Sequence, residues 1–300
     1  MTDSVSLGFI GFGEAGFEIA RGLQSRTPLE ITVYDSVKSD LFEKRVHEAG
    51  VKRLDSVAQV VENADMVLSV VPPSAAVAAA RELAGHLKAG QYYLDLSSSF
   101  PDDMKTIASL VAPTGAHFVD GAMMGPLPLY GCRVLIYVAG GQAQAVQAQL
   151  NHLGMNLKAI GSEPGQASAV KLILSVVTKG LGSLLVEMLL AAHHFKVEDA
   201  TVKALIQFYA MGLEAAIDRS VGSTAIHAGR RITEMESSLR LLKRIGVDPV
   251  MTGATVDRLK WFESLGLAEY FKGVAPKGYK EVVDAWEKIG IFKEGRETVE

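Results

Sequence analysis

Three glycines near the N-terminus and one aspartate further along the chain have the spacing of a dinucleotide-binding site. Gly11, Gly13 and Gly16 follow an apolar run, and Asp35 closes the next one. In such a turn the first glycine permits the tight bend, the second lets backbone N–H groups approach a pyrophosphate, and the third lets the helix pack on the strand. Asp35 follows the last glycine by about 20 residues, where a carboxylate binds the adenosine ribose hydroxyls. The pattern predicts a strand–turn–helix unit that binds NAD or NADP.

The residue types in this turn also predict which groups contact the cofactor. The N-terminus of the following helix presents unpaired N–H groups and a partial positive charge to phosphates. A carboxylate at Asp35 repels a 2′-phosphate, so NAD(H) is favoured, while Lys38 lies close enough in sequence to leave NADP(H) open. A turn whose glycines serve packing alone is the alternative interpretation. The predicted cofactor contacts in this region are Gly11, Phe12, Gly13, Glu14, Ala15, Gly16 and Asp35.

Composition places the chain among globular proteins and argues against several kinds of partner. Of its 300 residues 48% are hydrophobic and 21% charged, with a formal net charge of −4, so nucleic acid is not an expected partner. The single cysteine, Cys132, excludes an internal disulfide and a cysteine-based zinc site, which favours a reducing, cytoplasmic location. His193 and His194 point about 100° apart on a helix, so no metal site is predicted. No basic region precedes the first apolar run, and we expect no secretory signal.

The hydrophobic pattern differs between the two halves of the chain. The first half alternates strand and helix signals, which is typical of a parallel sheet with crossover helices. Strands are predicted over residues 6–10, 30–35, 64–71, 92–96, 117–119, 134–139 and 156–160. After residue 160 only helix signals remain. The predicted fold is α/β: a Rossmann-type, doubly wound, mainly parallel sheet in residues 1–162, followed by an all-helical domain in residues 163–300.

The helical half is predicted to open with one long apolar helix at the domain junction, where substrate sites usually form. It covers residues 164–194, a length of about 45 Å. Charged side chains interrupt its most apolar part, whereas a membrane span needs about 20 residues with few or no charges. We therefore expect a buried helix and no membrane partner; the interrupting residues are Lys171, Lys179 and Glu187. Further helices are predicted over residues 197–217, 225–245, 248–265 and 279–289.

Four blocks of residues, in order along nearly the whole chain, resemble the β-hydroxyacid dehydrogenases, the superfamily of 3-hydroxyisobutyrate and 6-phosphogluconate dehydrogenases. The blocks are GFIGFGEAG at 8–16, DLSSSFP at 95–101, FVDGAMMG at 118–125 and GQASAVK at 165–171. Residues 171–180 and 231–235 are similar to one branch with a phosphogluconate-dehydrogenase-like C-terminal domain and no settled substrate. The resemblance implies an NAD(P)-dependent oxidoreductase that transfers a hydride between nicotinamide and a small hydroxy acid or related hydroxy or oxo compound.

The resemblance also implies roles for individual residues. Lys171 would be the general base in alcohol oxidation and the general acid in the reverse reaction; a lysine that merely caps or solvates the helix is the alternative. Because free lysine has a pKa of about 10.4, the role requires burial beside the positively charged nicotinamide. Ser175, where relatives usually have Asn, would support the lysine. The implied substrate contacts are Ser97, Ser98, Met124, Gly125 and Thr178, and further contacts beside the nicotinamide ribose are Val71, Pro72, Pro73 and Ser97.

One departure from the resembling family concerns the substrate. Relatives commonly have a Ser-Gly-Gly turn that clamps a carboxylate, and this chain has Met124, Gly125 and Pro126 there. Methionine lacks the hydroxyl and proline lacks the N–H. Together with Met123, Met124 would form an apolar, adaptable wall. We therefore expect a substrate with a bulkier or less polar group than a minimal 3-hydroxy acid.

Several alternatives stay open at the level of sequence. An imine reductase is one, although such relatives often lack the lysine found at position 171. A cofactor-binding sensor that has lost catalysis is another, favoured by the changes at Ser175 and Met124. Arg230 and Arg231 suggest a clamp for a carboxylate or phosphate, or equally surface ion pairs with nearby glutamates. The resemblance finally implies a homodimer or homotetramer built through the helical half.

Overall fold

The structure is a computed structural model that describes residues 5–26 and 28–291. The chain divides into two compact units, one ending at Val176 and the other beginning at Val177. This division falls inside a single helix, Gln166–Phe195. The boundary predicted from sequence, between residues 162 and 163, stays a prediction about where the two folds meet.

The first unit is built on one sheet of eight strands within the described residues. In chain order the strands are β1 Leu7–Ile10, β2 Ile31–Tyr34, β3 Lys52–Arg53, β4 Met66–Ser69, β5 Tyr92–Asp95, β6 His117–Met123, β7 Leu135–Ala139 and β8 Asn156–Gly161. Their spatial order is β3-β2-β1-β4-β5-β6-β7-β8. The pair β6–β7 is antiparallel and the other pairs are parallel. The order 3-2-1-4-5-6 is that of a doubly wound Rossmann sheet, which confirms the predicted fold class.

Helices cover both faces of this sheet. They are α1 Glu14–Gln24, α2 Asp40–Ala49, α3 Val57–Glu62, α4 Ala76–Ala84, α5 Pro101–Val111, α6 Leu127–Tyr130 and α7 Ala143–His152. Successive strand residues point to opposite faces, so Phe9 and Leu68 join one buried cluster while Ile10 and Val67 join the other. Because both faces are buried, the central strands are apolar throughout. The sequence pattern missed only the two-residue strand β3, which is exposed and charged.

The second unit is helical in its described residues. With the shared helix α8, Gln166–Phe195, its helices are α9 Glu198–Phe208, α10 Leu213–Arg244, α11 Val250–Ser264, α12 Leu267–Tyr270 and α13 Tyr279–Lys288. The predicted helix over residues 197–217 is wrong. The chain leaves the helix after Phe208, and Gly212 has a φ of +90° that residues with a side chain rarely adopt. A new helix begins there and continues to Arg244 through a kink at His227.

Helix α8 is apolar and largely exposed. Within the described residues it is the helix long and apolar enough to cross a membrane by length and composition, with a mean hydropathy of 1.7 in its most apolar stretch. Only 6% of that stretch is buried inside the chain. Val176 is 74% exposed, Ile173 68% and Val186 57%. The prediction of a buried helix is therefore wrong for the single chain.

Glu187 explains one of the charges that interrupt α8. Its carboxylate accepts hydrogen bonds from the backbone N–H groups of Met251 and Thr252 and from the Thr252 hydroxyl, the last at 2.7 Å. These groups belong to the first turn of α11, whose N–H groups have no partner within the helix. Burial raises the pKa of Glu187, but the hydrogen bonds from Thr252 and Met251 outweigh this effect and leave the pKa below its ordinary value. Glu187 thus caps α11 from the side of α8.

Candidate active site

The glycine turn after β1 has the geometry that its sequence predicts. Gly11 has a φ of +84°, and a Cβ atom there would lie 2.8 Å from the carbonyl oxygen of Val70. A Cβ on Gly16 would lie 2.9 Å from the carbonyl oxygen of Gly11, so this position also needs glycine. A Cβ on Gly13 would instead meet no described atom within 4 Å. The first and third glycines therefore serve the turn and its packing, and the second leaves the backbone open to a ligand.

A cavity of about 800 Å³ opens at this turn, beside the N-terminus of α1 and the carboxyl ends of several strands. Ligands of doubly wound sheets bind at this edge. Among its lining residues are the predicted contacts Gly11, Phe12, Gly13, Glu14, Ala15, Asp35, Val71, Pro72 and Ser97. Two other predicted contacts do not line it: Gly16 packs behind the turn, and the Pro73 carbonyl accepts a hydrogen bond from Ser99 at 3.3 Å. The structure thus gathers most of the predicted cofactor residues around one space.

Asp35 joins the end of β2 to the glycine turn. One carboxylate oxygen accepts the N–H of Phe12 at 2.7 Å, and the other accepts the N–H of Val37 at 2.8 Å. Each oxygen has two lone pairs, so both keep one for a ligand hydroxyl. Sequence reasoning missed several polar residues that line the same cavity, among them Ser36 and Arg45. Arg45 lies on α2, and its place at the cavity could not be predicted because it is distant from the glycine turn in sequence.

The serine loop after β5 brings Lys171 next to this cavity. The Lys171 Nζ donates a hydrogen bond to the Ser98 Oγ at 3.1 Å. Ser98 has a φ of 55°, uncommon for a residue with a side chain, and this conformation is held in a buried loop. Its neighbour Ser97 lines the cavity. Two adjacent serines therefore link the cavity to the amine of Lys171.

Two buried carboxylates to which sequence reasoning gave no role hold these parts in place. Asp95 accepts hydrogen bonds from the N–H of Ser97 at 2.9 Å and from the hydroxyls of Ser97 and Tyr93. Asp120 accepts the N–H groups of Gly165 and Ala167 at 3.0 Å each, together with the N–H and hydroxyl of Ser168. Asp120 thus caps the N-terminus of α8 from strand β6. Asp95 and Asp120 lie inside the second and third sequence blocks, and a carboxylate within a buried strand was the signal that could have found them.

Burial dominates the electrostatics of these two acids. It raises the pKa of Asp95 despite the hydrogen bonds from Ser97 and Tyr93, and the neighbouring Asp120 raises it further. Burial also raises the pKa of Asp120, against its hydrogen bonds from Ser168, Gly165 and Ala167. The two residues are direct partners across β5 and β6. Ionising either buried carboxylate therefore costs free energy, which only a full set of hydrogen-bond donors can offset.

The remaining predicted residues have varied surroundings. The Ser175 hydroxyl donates to the backbone carbonyl of Lys171 at 3.0 Å, one turn along α8. Met124 packs on Ala122 and Ala167, and Gly125 follows it in the loop after β6. Met123, the preceding residue, lines the cavity. Thr178 lies beyond Val176 in the second unit, so its role at the substrate stays a prediction.

A doubly wound sheet with a glycine turn and an acidic residue at the end of β2 defines a dinucleotide-binding protein. Residues 6–162 match the family model described as the NAD binding domain of 6-phosphogluconate dehydrogenase. The chain belongs to this family, and it is an NAD(P)-binding member of a group of dehydrogenases and reductases. Residues 192–262 match a model described as a domain of unknown function (DUF1932).

Three known proteins illustrate the relationship. A conserved hypothetical protein from Sinorhizobium meliloti is 34% identical with a TM-score of 0.61, covering 96% of this chain and 97% of its own. Human mitochondrial 3-hydroxyisobutyrate dehydrogenase is 29% identical over 55% of this chain and 50% of that enzyme, so the match spans about half its length. An imine reductase from Pseudomonas sp. has a TM-score of 0.72 and covers 90% of this chain and 99% of its own, but at 19% identity it shows the fold alone.

We predict that the hydrogen bonds of Asp120, more than its charge, hold the start of α8. Asp120→Ala removes the acceptor of four donors and should lower the free energy of unfolding by about 2–5 kcal/mol. In Asp120→Asn the amide oxygen can accept the same N–H groups while the Ser168 hydroxyl turns to accept the amide N–H. This variant should lose only about 1 kcal/mol. Urea denaturation of both variants measures the difference, and an equally large loss in Asp120→Asn would contradict the prediction.

Proposed function

We propose that the protein is an NAD(P)-dependent oxidoreductase that interconverts a CH–OH group and a carbonyl, with Lys171 as the general acid and base. The observation that supports this proposal is the hydrogen bond of 3.1 Å from the Lys171 Nζ to the Ser98 Oγ. Ser98 is the neighbour of Ser97, which lines the cavity at the glycine turn. An amine and two hydroxyls beside a dinucleotide cavity are suited to binding and deprotonating a substrate hydroxyl.

The cavity fits a dinucleotide. The open face of Gly13 and the N-terminus of α1 would hold the pyrophosphate, and Asp35 would bind the ribose hydroxyls. We propose that NAD(H) is preferred, because the carboxylate of Asp35 repels a 2′-phosphate. Arg45, which lines the same cavity, would attract a 2′-phosphate and so favour NADP(H). When bound, the nicotinamide would accept the hydride in oxidation and donate it in reduction.

The chain's own residues would supply binding and proton transfer. In oxidation, the neutral amine of Lys171 takes the hydroxyl proton while the C–H hydride leaves, and the C=O bond forms. In reduction, the ammonium of Lys171 returns the proton to the new alkoxide oxygen. Ser97 and Ser98 would hold a polar or anionic group of the substrate, with their loop fixed by Asp95. Asp120 of β6 binds Ser168, one helical turn before the lysine, and would thereby keep Lys171 in position.

Lys171→Ala should separate cofactor binding from turnover. We expect NADH affinity, measured by fluorescence titration, to stay within about twofold, because the lysine lies outside the glycine turn. Turnover should fall about 10²–10⁴-fold, the usual contribution of a general acid or base. Absorbance at 340 nm would be followed with a panel of hydroxy acids, oxo acids, aldehydes and imines.

Lys179→Ala, on the same helix, is the matched control and should leave turnover unchanged. Titration with NADPH in parallel measures the cofactor preference. Turnover of imines alone would assign an imine reductase, and tight NADH binding without turnover of any panel member would favour a sensor. Full activity in Lys171→Ala would rule out the proposed role of the lysine.

We further propose that the substrate is bulkier or less polar than a minimal 3-hydroxy acid. Met123 lines the cavity, Met124 follows it, and Pro126 offers no N–H to a carboxylate. The sequence resemblance implies a Ser-Gly-Gly turn with polar donors at this place in the β-hydroxyacid dehydrogenases. The apolar side chains would favour an apolar substrate group in the same place.

The double variant Met124→Ser/Pro126→Gly restores a hydroxyl and an N–H at this turn. One hydrogen bond to a charged group contributes about 1.5–3 kcal/mol, so kcat/KM for small 3-hydroxy acids should rise at least about tenfold. Pro128→Gly, two residues further on in α6, is the control for the flexibility that a proline-to-glycine change adds to this segment. No gain, or the same gain in the control, would count against the proposed substrate class.

We also propose that the protein is a homodimer assembled through α8. The exposed apolar side chains of this helix need cover from water, and a stable dimer buries about 800 Å² on each partner. Two of them, Val186 and Leu190, are 57% and 52% exposed. They lie on successive turns of α8, so one partner surface can cover both. Burying them against a second copy removes apolar area from water without any change in the chain itself.

Val186→Lys combined with Leu190→Lys should convert a dimer into a monomer, because two charges would be buried at the interface. Analytical ultracentrifugation at micromolar concentration measures the mass. Val274→Lys, which changes a more exposed valine outside α8, should leave the dimer intact. A monomeric parent protein, or recovery of the parent in a membrane fraction, would overturn the proposed assembly.

A further inference from the structure

The second unit contains an arginine that is held by neutral groups. On α10 the Arg231 Nη1 donates to the carbonyl of Ser220 at 3.2 Å and to the hydroxyl of Thr224. Its Nη2 donates to the hydroxyl of Ser223 at 3.1 Å. Together these four residues span about three turns of α10, and the kink at His227 lies between Thr224 and Arg231. The guanidinium is therefore partly buried and fixed along the helix, and it does not extend freely into solvent.

An inventory of hydrogens shows what this arrangement leaves available. Arginine has five N–H donors, and the contacts above use three of them. Within the described residues, the Nε–H and one N–H of Nη2 have no hydrogen-bond partner. The Thr224 hydroxyl donates its own hydrogen bond to the Ser220 carbonyl at 2.6 Å. The Ser223 hydroxyl only accepts from Arg231, so its proton is free to donate.

The charges nearby are neutralised elsewhere. Arg230 pairs with Glu234 at 3.4 Å, and Glu236 pairs with Lys260 at 3.0 Å. In the described part of the chain, no carboxylate lies within ion-pair distance of Arg231. Burial, together with the like charge of Arg230, lowers the pKa of Arg231, and the opposite charge of Glu234 only partly offsets them. Of the two interpretations of this arginine pair, the surface ion pair therefore applies to Arg230 and not to Arg231.

We propose that Arg231 and Ser223 form a binding site for an oxyanion, the carboxylate or phosphate group of a small ligand. The two remaining N–H donors of the guanidinium can bind the oxygens of such a group, and the Ser223 hydroxyl adds a third donor. An anion there compensates a partly buried positive charge that the chain leaves unpaired. Thr224 and the Ser220 carbonyl fix the guanidinium, so little side-chain entropy is lost on binding. The site is independent of the proposed oxidoreductase activity.

The test measures anion binding to the full chain without cofactor. With ¹⁵N-labelled arginine, the Arg231 Nε–H signal, assigned by its absence in Arg231→Lys, is followed by NMR during titration with inorganic phosphate and, separately, acetate. We expect a saturable shift of this signal with at least one probe. The probe that binds more tightly identifies the group: phosphate indicates a phosphorylated ligand, and acetate indicates a carboxylate.

Variants distinguish anion binding at the proposed site from unspecific attraction of anions to positive charge. Calorimetry with the tighter probe should show at least tenfold weaker binding in Arg231→Gln and a smaller loss in Ser223→Ala. Arg240→Gln removes another arginine of α10 that also contacts a serine, and it should bind like the parent. Ser223→Ala keeps the guanidinium, so the test survives if Arg231→Gln fails to fold. Equal weakening in Arg240→Gln, unchanged binding in Arg231→Gln, or no saturable shift with either probe would overturn the proposal.

Discussion

The capping of α8 by Asp120 is the interaction on which the candidate site depends. Three backbone N–H groups and one hydroxyl at the start of α8 converge on this carboxylate. The position of Lys171 follows from it, because Ser168, one of the donors, lies one turn earlier on the same helix. A carboxylate at a helix N-terminus also opposes the partial positive charge of the helix end. Strand β6 therefore sets the start of the helix and, through it, the location of the amine.

Asp95 fixes the serine loop by accepting its hydrogen bonds, as Asp120 fixes the start of α8. It fixes Ser97 through both the N–H and the hydroxyl, and the next residue, Ser98, takes a left-handed conformation that brings its hydroxyl to Lys171. The two acids are direct partners across neighbouring strands, and Asp120 adds to the effect of burial in raising the pKa of Asp95. Such an arrangement is stable only when the donors are complete. The lysine–serine contact is thus held from both sides by buried carboxylates.

Local parts of this site could be predicted from sequence, and its long-range contacts could not. The places of Gly11, Gly13 and Gly16 follow from backbone geometry within one turn: the structure shows that Gly11 and Gly16 have no room for a side chain, and the approach of a pyrophosphate to Gly13 stays a prediction. The capping role of Asp120 was not predicted because its donors lie about 45 residues further along the chain. No rule of sequence spacing connects a strand to the start of so distant a helix. The helix break at Gly212 escaped for a different reason: the residues around it continue the apolar period, and only the backbone conformation ends the helix. Strong local periodicity predicted elements well, but which buried group meets which depended on tertiary packing.

The most apolar helix shows how local and tertiary effects combine. At its start α8 is capped by Asp120 of the first unit, and further along its own Glu187 caps α11 of the second unit. Each contact satisfies helix N–H groups that have no partner within their own helix. The stretch between these two carboxylate contacts contains exposed valines, leucines and an isoleucine. A helix held at two points by polar contacts, and apolar between them, gains stability from every further apolar surface placed against it. Glu187, one of the charges that interrupt α8, therefore serves the chain's own architecture, while the exposed apolar residues of the helix offer a surface for the proposed second copy.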